Sequence, residues 1–405
     1  CVVSLVFVGC CLDWAETTDW NEEPRAAERL PEAPSVDRDI RVRLVGKGPH
    51  QSLDLSIASG YSITDASTGA ELGHSPKSLS ASVVRPADGG IQIGTLVLPA
   101  KMILITPARD AGIGINGRTY RGTLQIGNDG KGLAVINHID VESYLRGVLR
   151  GELPRYFQME SFKAQCVAAR TYVLYQKQIA GRGRKWDVTD DESSQVYVGV
   201  QGEDRIAVTA TRETQGEVCT WNDGAGDKLF STYYSSACGG MSQHVHNVKP
   251  NDPYVPPLAG GVVCNDCRIA KFYRWEPVKI SKAELTKRLV ARYQSLKALG
   301  GVKGLEPKAR TPDGRIVKLE LIGKDGDRDI LVGEDFRLSV GGRILKSTNF
   351  TIETKPKEFI FKDGRGFGHG MGLCQFGMET KARQGMDYHK ILGIYYPGAA
   401  IKKIY

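Results

Sequence analysis

Apolar and polar positions alternate with a period of two from Asp37 to about Asn137. Ile40-Arg41-Val42-Arg43-Leu44-Val45 shows the alternation, and so do Ile91 to Leu98 and Gly122 to Ile126. Successive side chains of a strand point to opposite faces, so these runs predict half-buried strands, with turns at the Gly, Asp and Asn clusters between them. Strand character ends at Leu133-Ala134-Val135-Ile136-Asn137, and the period then changes. Val141, Tyr144, Leu145 and Val148 share one helical face, with Asp140 as N-cap, Glu142 in the first turn and Gly151 as the stop. A second helix covers about Glu160 to Ala180, with Phe162, Cys166, Ala169 and Val173 on one face. Its Ala-rich stretch, Lys163 to Arg170, allows close packing.

Residues 186 to 240 return to a strand-like pattern, at Gln195 to Gly199, Ala207 to Thr211 and Lys228 to Ser235. Ser281 caps a helix that runs to about Leu299, with Glu284 in the capping-box position and Gly300 closing it. Strands resume from Ile316, and a short helix follows at about Met378 to Gln384. No internal repeat is visible. The pattern predicts an α+β fold: a β-rich N-terminal domain over 37–137 and a mixed α/β core over 138–405, preceded by a leader and tether over 1–36.

Composition narrows the class. The chain has 405 residues, 41% of them hydrophobic and 25% charged, which is ordinary for a globular protein. The formal net charge of +8 is spread along the chain without a Lys/Arg block. That pattern favours a diffuse attraction to polyanions, whether cell-wall polymers, acidic lipid surfaces or nucleic acids, over a dedicated nucleic-acid site. The opening run CVVSLVFVGCC is too short to span a bilayer as a helix and looks like the apolar part of an export signal. Phe7-Val8-Gly9-Cys10 resembles a bacterial lipobox, which would make Cys10 the acylated N-terminus of a membrane-anchored protein facing the cell wall or periplasm. Residues from about Asp13 to Pro34, rich in Glu, Pro and Ala, read as a disordered tether.

Of nine cysteines, Cys238, Cys264 and Cys267 suggest a site. Cys264-Asn-Asp-Cys267 is a C-x-x-C, and His244 or His246 could complete a zinc set. In an exported protein a disulfide competes and ranks ahead of the metal. Cys219 and Cys374 stand alone.

Two stretches carry candidate chemistry. In GRGFGHGMGLCQFG, Gly364 to Gly377, glycine falls on every second residue up to Gly372. If extended, one face is bare backbone and the other carries Arg365, Phe367, His369 and Met371. The alternatives are a tight bend in a sheet and a ligand site holding His369 and Gln375. In Gly151-Glu152-Leu153-Pro154, Glu152 follows the C-terminus of the first helix. That is the negative pole of the macrodipole, which favours a protonated carboxyl and hence a general acid. A solvated loop glutamate is the competing reading. Tyr233 to Gly240 reads as a strand entering a Gly-Gly turn, with hydroxyls suited to a sugar groove. No G-x-S-x-G elbow and no H-E-x-x-H motif is present.

Taken together, Tyr144 to Val148, Gly151 to Pro154 and Glu160 to Tyr172 resemble the sporulation stage II protein D family, which includes the amidase enhancers. Gln195-Val196-Tyr197, Tyr233 to Gly240, Gly364 to Met378 and Ile391 to Gly398 match further family motifs in order, with Cys374 for Ser and Met378 for Ala. The resemblance implies a murein-directed protein with a substrate groove. Some members are lytic transglycosylases acting on peptide-stripped glycan strands, and others stimulate a cell-wall amidase. It makes Glu152 the acid/base. It implies a groove formed by Arg170, Gln195, Tyr197, Tyr233, Ser235, Ser236, Gly239, Gly240, His369 and Gln375, with a sugar lying on the bare glycine face. Some members carry zinc on Cys and His just before Gln-x-Tyr. Asp187 to Ser194 contains neither residue type, so no cofactor is expected there, and zinc is an option only at the cysteine set.

Overall fold

The computed structural model describes residues 36–44, 49–180 and 183–405. The expected leader with Cys10 and the tether lie outside them. The alternation near the N-terminus forms two sheets. The seven-stranded sheet has the order Val188–Thr189, Asp39–Leu44, Leu133–Asp140, Thr123–Asn128, Met102–Pro107, Tyr61–Asp65, Glu71–Ser75. The six-stranded sheet has the order Arg118–Tyr120, Ile113–Ile115, Leu53–Ile57, Leu79–Ala87, Gly90–Ile93, Leu96–Leu98. Ile40, Val42 and Leu44 from the first and Leu53, Leu55 and Ile57 from the second are buried at alternate positions. Each such side chain contributes about 1.5–3 kcal/mol on burial. The run Ile91 to Leu98, expected as one strand, folds back on itself as a hairpin. Ile93 pairs with Leu96, and Gly94 between them has φ +58, the left-handed conformation that a two-residue turn requires.

The strand Leu133–Asp140 leads straight into α1, Val141–Glu152. The expected boundary at 137/138 therefore falls inside a strand that pairs on both sides, and Asp37–Tyr405 cluster as one unit. Helix α2, Met159–Ala180, is the hub of the core. It touches α1, α3 (Arg205–Glu213), α7 (Gln375–Arg383), α8 (Tyr388–Tyr395) and the strand Glu217–Asn222. Its Ala164, Ala168 and Ala169 are buried, as the close packing of several neighbours demands.

Helix α3 corrects the strand expected at Ala207 to Thr211. Ile206 and Val208 are β-branched, but the Asp204 carboxylate accepts from the Ala207 amide at 3.0 Å and caps a helix instead. Gln195 to Gly199, also expected as a strand, is irregular and ends in a 3-10 turn, Gly199–Gly202. Of Lys228 to Ser235, only Lys228 and Tyr234–Ser235 pair as strand. After the short helix α4, Val245–Val248, a second hydrophobic core forms within 275–361. Helices α5 (Lys282–Arg292) and α6 (Gly333–Val340) enclose it with two three-stranded sheets, around Leu285, Leu289, Leu319, Leu321, Phe336, Phe359 and Phe361. Ser281 caps α5 as expected, accepting from the Glu284 amide at 3.2 Å, although the helix breaks at Tyr293 into a 3-10 turn that ends at left-handed Gly300.

Candidate active site

Helix α1 is capped as its sequence suggests, with the Asp140 carboxylate accepting from the Glu142 amide at 2.9 Å. It runs one residue past the expected stop and ends on Glu152, so Gly151 lies in the last turn. The glycine there serves close packing. A Cβ at Gly151 would stand 2.1 Å from the Val196 carbonyl oxygen, and one at Gly147 would stand 2.5 Å from the Tyr197 ring. Two glycines four apart on one face let the 196–199 segment lie against the helix. This close approach brings the Val196 amide to the Glu152 carboxyl, donating to Oε1 at 2.8 Å.

The other carboxyl oxygen, Oε2, accepts from Gln375 Nε2 at 3.4 Å, and the same amide nitrogen reaches Gln165 Oε1 at 3.4 Å. Glu152 as a residue is half-buried, but its carboxyl is shielded from water. That desolvation pushes its pKa up to about 7, against the opposing donors Val196, Gln375 and Tyr234. The position at the helix C-terminus acts in the same direction. The Tyr234 hydroxyl and Gln165 Nε2 are buried and have no partner. Unsatisfied buried polar groups are uncommon, and two of them beside one protonatable carboxyl mark a place where a polar ligand or water would be held.

Gln375 opens α7, and α7 is fixed to α2 by buried Glu379. That carboxylate accepts from the Gln158 amide at 2.8 Å and Ser161 Oγ at 2.9 Å, capping α2, and from Arg383 Nε at 2.6 Å. The Phe376 amide donates to the Ser236 carbonyl at 3.0 Å. The expected residues Glu152, Gln375 and Ser236 are thus brought into one neighbourhood.

The remaining expected groove residues separate from it. Arg170 is buried near the opposite end of α1, where its guanidinium holds Glu142 through two bonds of 2.8 and 2.7 Å and donates to the Glu217 carbonyl at 3.0 Å. It has no atom left to face a sugar at Glu152. Gln195 is buried behind the acid, with Oε1 accepting from the Tyr144 hydroxyl at 3.1 Å and Nε2 donating to the Ala169 carbonyl at 3.3 Å. Tyr197 is also buried, its hydroxyl donating to Asn137 Oδ1 at 3.1 Å and its ring against Tyr120 and Tyr144. These two residues anchor the segment that presents the Val196 amide, and they offer no exposed surface to a ligand.

His369 and Tyr233 form a second cluster, ring centroids 5.9 Å apart. The Tyr233 hydroxyl donates to Asp252. His369 Nδ1 accepts from the Met371 amide at 3.0 Å, which places the proton of the neutral ring on Nε2. Burial pushes the His369 pKa down to about 4. Ser235 is buried here too, with an unpartnered Oγ.

The glycine-alternating stretch is not a flat strand with one bare face. Gly364–Arg365 and Leu373–Cys374 pair as short strands, Phe367 and Met371 form single bridges to Ala237 and Gln243, and Gly366, Gly368, Gly370 and Gly372 all have positive φ. Their bare sides are taken by protein. A Cβ at Gly368 would meet Ser235 Cβ at 2.8 Å, one at Gly370 would meet Arg315 at 2.8 Å, and one at Gly372 would meet the Tyr233 carbonyl oxygen at 2.1 Å. The segment Tyr233 to Gly239 occupies the face that was expected to carry a sugar. Gly239 and Gly240, also at positive φ, turn the chain so that the Gly240 carbonyl receives the Cys264 amide at 2.9 Å. A hollow of about 250 Å³, lined by Cys219, His389, Leu392, Gly393, Ala399 and Ile401, shares no residue with the contacts of Glu152.

The cysteines assemble as a group of four. Sγ atoms of Cys238, Cys264, Cys267 and Cys374 all lie within 4.8 Å of one another, and all four residues are buried. Cys374, which had seemed isolated, completes the set. His244 instead stacks on Tyr254, and His246 lies tilted against both rings. The six described cysteines are free in this structure, with 3.7 Å between the Cys238 and Cys267 sulfurs against the ~2.05 Å of an S–S bond. Among site residues, Val196, Gln165, Tyr234 and Cys374 escaped the sequence reading. Gln165 and Val196 lie inside motifs that had been recognised, so their place there was the available signal.

A family model described as Stage II sporulation protein (SpoIID) matches residues 129–221, spanning α1, α2 and Glu152. A domain of unknown function, DUF8618, matches residues 264–372. An uncharacterized protein of Brachyspira hyodysenteriae is 31% identical over 292 residues, 72% of this chain and 74% of that protein. Stage II sporulation protein D of Bacillus subtilis is 26% identical over 282 residues, 66% of this chain and 76% of that protein. The amidase enhancer of Bacillus subtilis is 26% identical over 301 residues, which cover 64% of this chain but 40% of that longer protein. Together with the motifs around Glu152, these matches show that the chain belongs to the stage II sporulation protein D and amidase-enhancer family.

Proposed function

We propose that the protein is a murein lytic transglycosylase that cleaves peptide-stripped glycan strands, with Glu152 first as acid and then as base. The observation that carries this reading is the Glu152 carboxyl, held by Val196 and Gln375 and shifted to about 7 by desolvation. A group with that pKa is populated in both forms near neutrality, as a catalyst that gives and then takes a proton requires. In the reaction, Glu152 protonates the glycosidic oxygen as it leaves C1 of N-acetylmuramic acid. The C6 hydroxyl of the same sugar attacks C1 and returns its proton to Glu152. The products are a 1,6-anhydro end and a free hydroxyl on the departing sugar, and no water is consumed. Hydrolysis of glycosides ordinarily uses two carboxylates. Intramolecular attack needs no second carboxylate, because its effective concentration is high. The same reading places the protein outside the cytoplasm, anchored through Cys10 and facing murein.

A second reading is a non-catalytic murein-binding protein that stimulates a cell-wall amidase. The similarity to an amidase enhancer favours it. The two readings separate when purified protein is incubated with denuded glycan strands and the products are weighed by mass spectrometry. Anhydro-ended fragments from the wild type and none from Glu152→Gln support the transglycosylase. Strand binding without fragments from either protein supports the amidase partner.

A further inference from the structure

We propose that Cys238, Cys264, Cys267 and Cys374 form a tetrathiolate zinc site that staples three chain segments at the start of α7. The inference is independent of the reaction assigned to Glu152. A tetrahedral zinc with Zn–S bonds of about 2.3 Å places its sulfurs ~3.8 Å apart. Cys238 and Cys267 are separated by 3.7 Å, and all four sulfurs fall within 4.8 Å of one another. A site with four protein sulfurs leaves no open position, which is the pattern of a structural metal.

The surroundings fit such a centre. The Cys238 amide donates to Cys374 Sγ at 3.2 Å, and the Tyr395 hydroxyl lies 3.2 Å from Cys264 Sγ, contacts of the kind that orient and neutralise thiolate ligands. Gly377 has no room for a side chain, because its Cβ would stand 2.5 Å from Cys264 Sγ. Beside the cluster lies Arg315, whose guanidinium is buried. It donates to the Cys238 carbonyl at 2.6 Å and to the Gly368 and His369 carbonyls at 3.1 and 3.2 Å. No carboxylate is within salt-bridge distance of it among the described residues; Asp313 and Glu334 act on it only from farther away. A buried cation without a direct ion pair is costly, and zinc with four thiolates carries a net charge of about −2 that would add to its compensation.

The chemistry also explains the topology. Cys238 follows the segment Tyr233 to Ala237, Cys264 and Cys267 form a knuckle around a 3-10 turn, Asp266–Ile269, and Cys374 directly precedes Gln375. Zinc would therefore hold the residue next to the one that contacts Glu152.

The test uses the full chain purified without chelator. Metal analysis should find one zinc per chain, and replacement by cobalt should give visible d–d bands with thiolate charge-transfer absorption of a tetrahedral four-sulfur site. Cys374→Ser should lose bound zinc, whereas Cys219→Ser, at a buried cysteine outside the cluster, should keep it. The cobalt spectrum is read on the wild type, so a poorly folding variant does not decide the matter. Zinc well below one per chain after exposure to excess zinc, or a disulfide between any two of the four cysteines in the native protein, would overturn the proposal.

Discussion

Helix α1 carries a glutamate near each end, Glu142 buried and Glu152 half-buried, and the two are held in opposite ways. Glu142 lies in the first turn, about 15 Å from Glu152 along the axis. It sits in a bidentate ion pair with Arg170 and also accepts from the Gly216 amide and the Tyr405 hydroxyl. The positive pole of the helix adds to that support. Glu152 sits at the negative pole and receives one amide and one weak side-chain donor, with no cation in reach among the described residues. One end of the helix stabilises charge on a carboxyl, and the other penalises it. The residue type is the same, so the difference in role is set by the partners that the fold brings to each end.

Exchanging what differs between the ends gives the tests, beginning with the largest effect. Glu152→Gln keeps size and hydrogen-bonding but cannot give a proton. Strand cleavage should fall by about 10²–10⁴-fold with the circular dichroism spectrum unchanged, measured by release of anhydro ends. At the other end, Arg170→Leu leaves Glu142 buried without its cation and should cost about 3–5 kcal/mol in urea unfolding. An effect below about 1 kcal/mol would mean that the pair is not structural. Gly151→Ala drives a methyl into the Val196 carbonyl. Relief requires the 195–197 segment to move off the helix, with a cost of about 1–3 kcal/mol and loss of the amide at Glu152.

Ionisation sharpens the same contrast. The folded pKa of Glu152 lies above its usual 4.5, at about 7, so between these values the folded state binds more protons than the unfolded one. Its contribution to stability is complete below about pH 4.5 and is lost as pH rises through about 7. At about 1.4 kcal/mol per unit the loss is at most about 3 kcal/mol, and solvent access to the residue reduces it to about 1–2 kcal/mol. Glu152→Gln should therefore match the wild type at acid pH and exceed its stability at pH ~8 by that amount, as read from melts across a pH series. The smallest effect is expected from Gln375→Ala. It removes a donor that favours the charged form, so the alkaline limb of the pH–rate profile should move up by less than about one unit. A downward shift would show that the amide does not act on the acid.

The periodicities carried the large elements, and the site was legible where it depends on them. Asp140, the 3–4 spacing of Val141 to Val148 and the stop near Gly151 placed Glu152 at a helix C-terminus, and that is where it stands. The failures share a cause. Residue types in Gln195 and Tyr197 suggest contact with sugar, but their burial depends on Tyr144, Ala169 and Asn137, which come from other elements. Alternating glycines look like a strand face when only spacing is read, whereas their positive φ and the close approach of Tyr233 to Gly239 are set by distant chain. Cys374 joins Cys238 across 136 residues, a separation at which no local pattern speaks. Ala207 to Thr211 is different: its helix is started locally, by the Asp204 carboxylate that caps it.

The most direct measurement is the titration of Glu152 itself, followed through its carboxyl carbon by NMR as the difference between wild type and Glu152→Gln. The account expects a midpoint near 7. A midpoint near the ordinary 4.5 would show a solvated carboxylate that holds no proton at neutral pH, and would contradict its role as the acid.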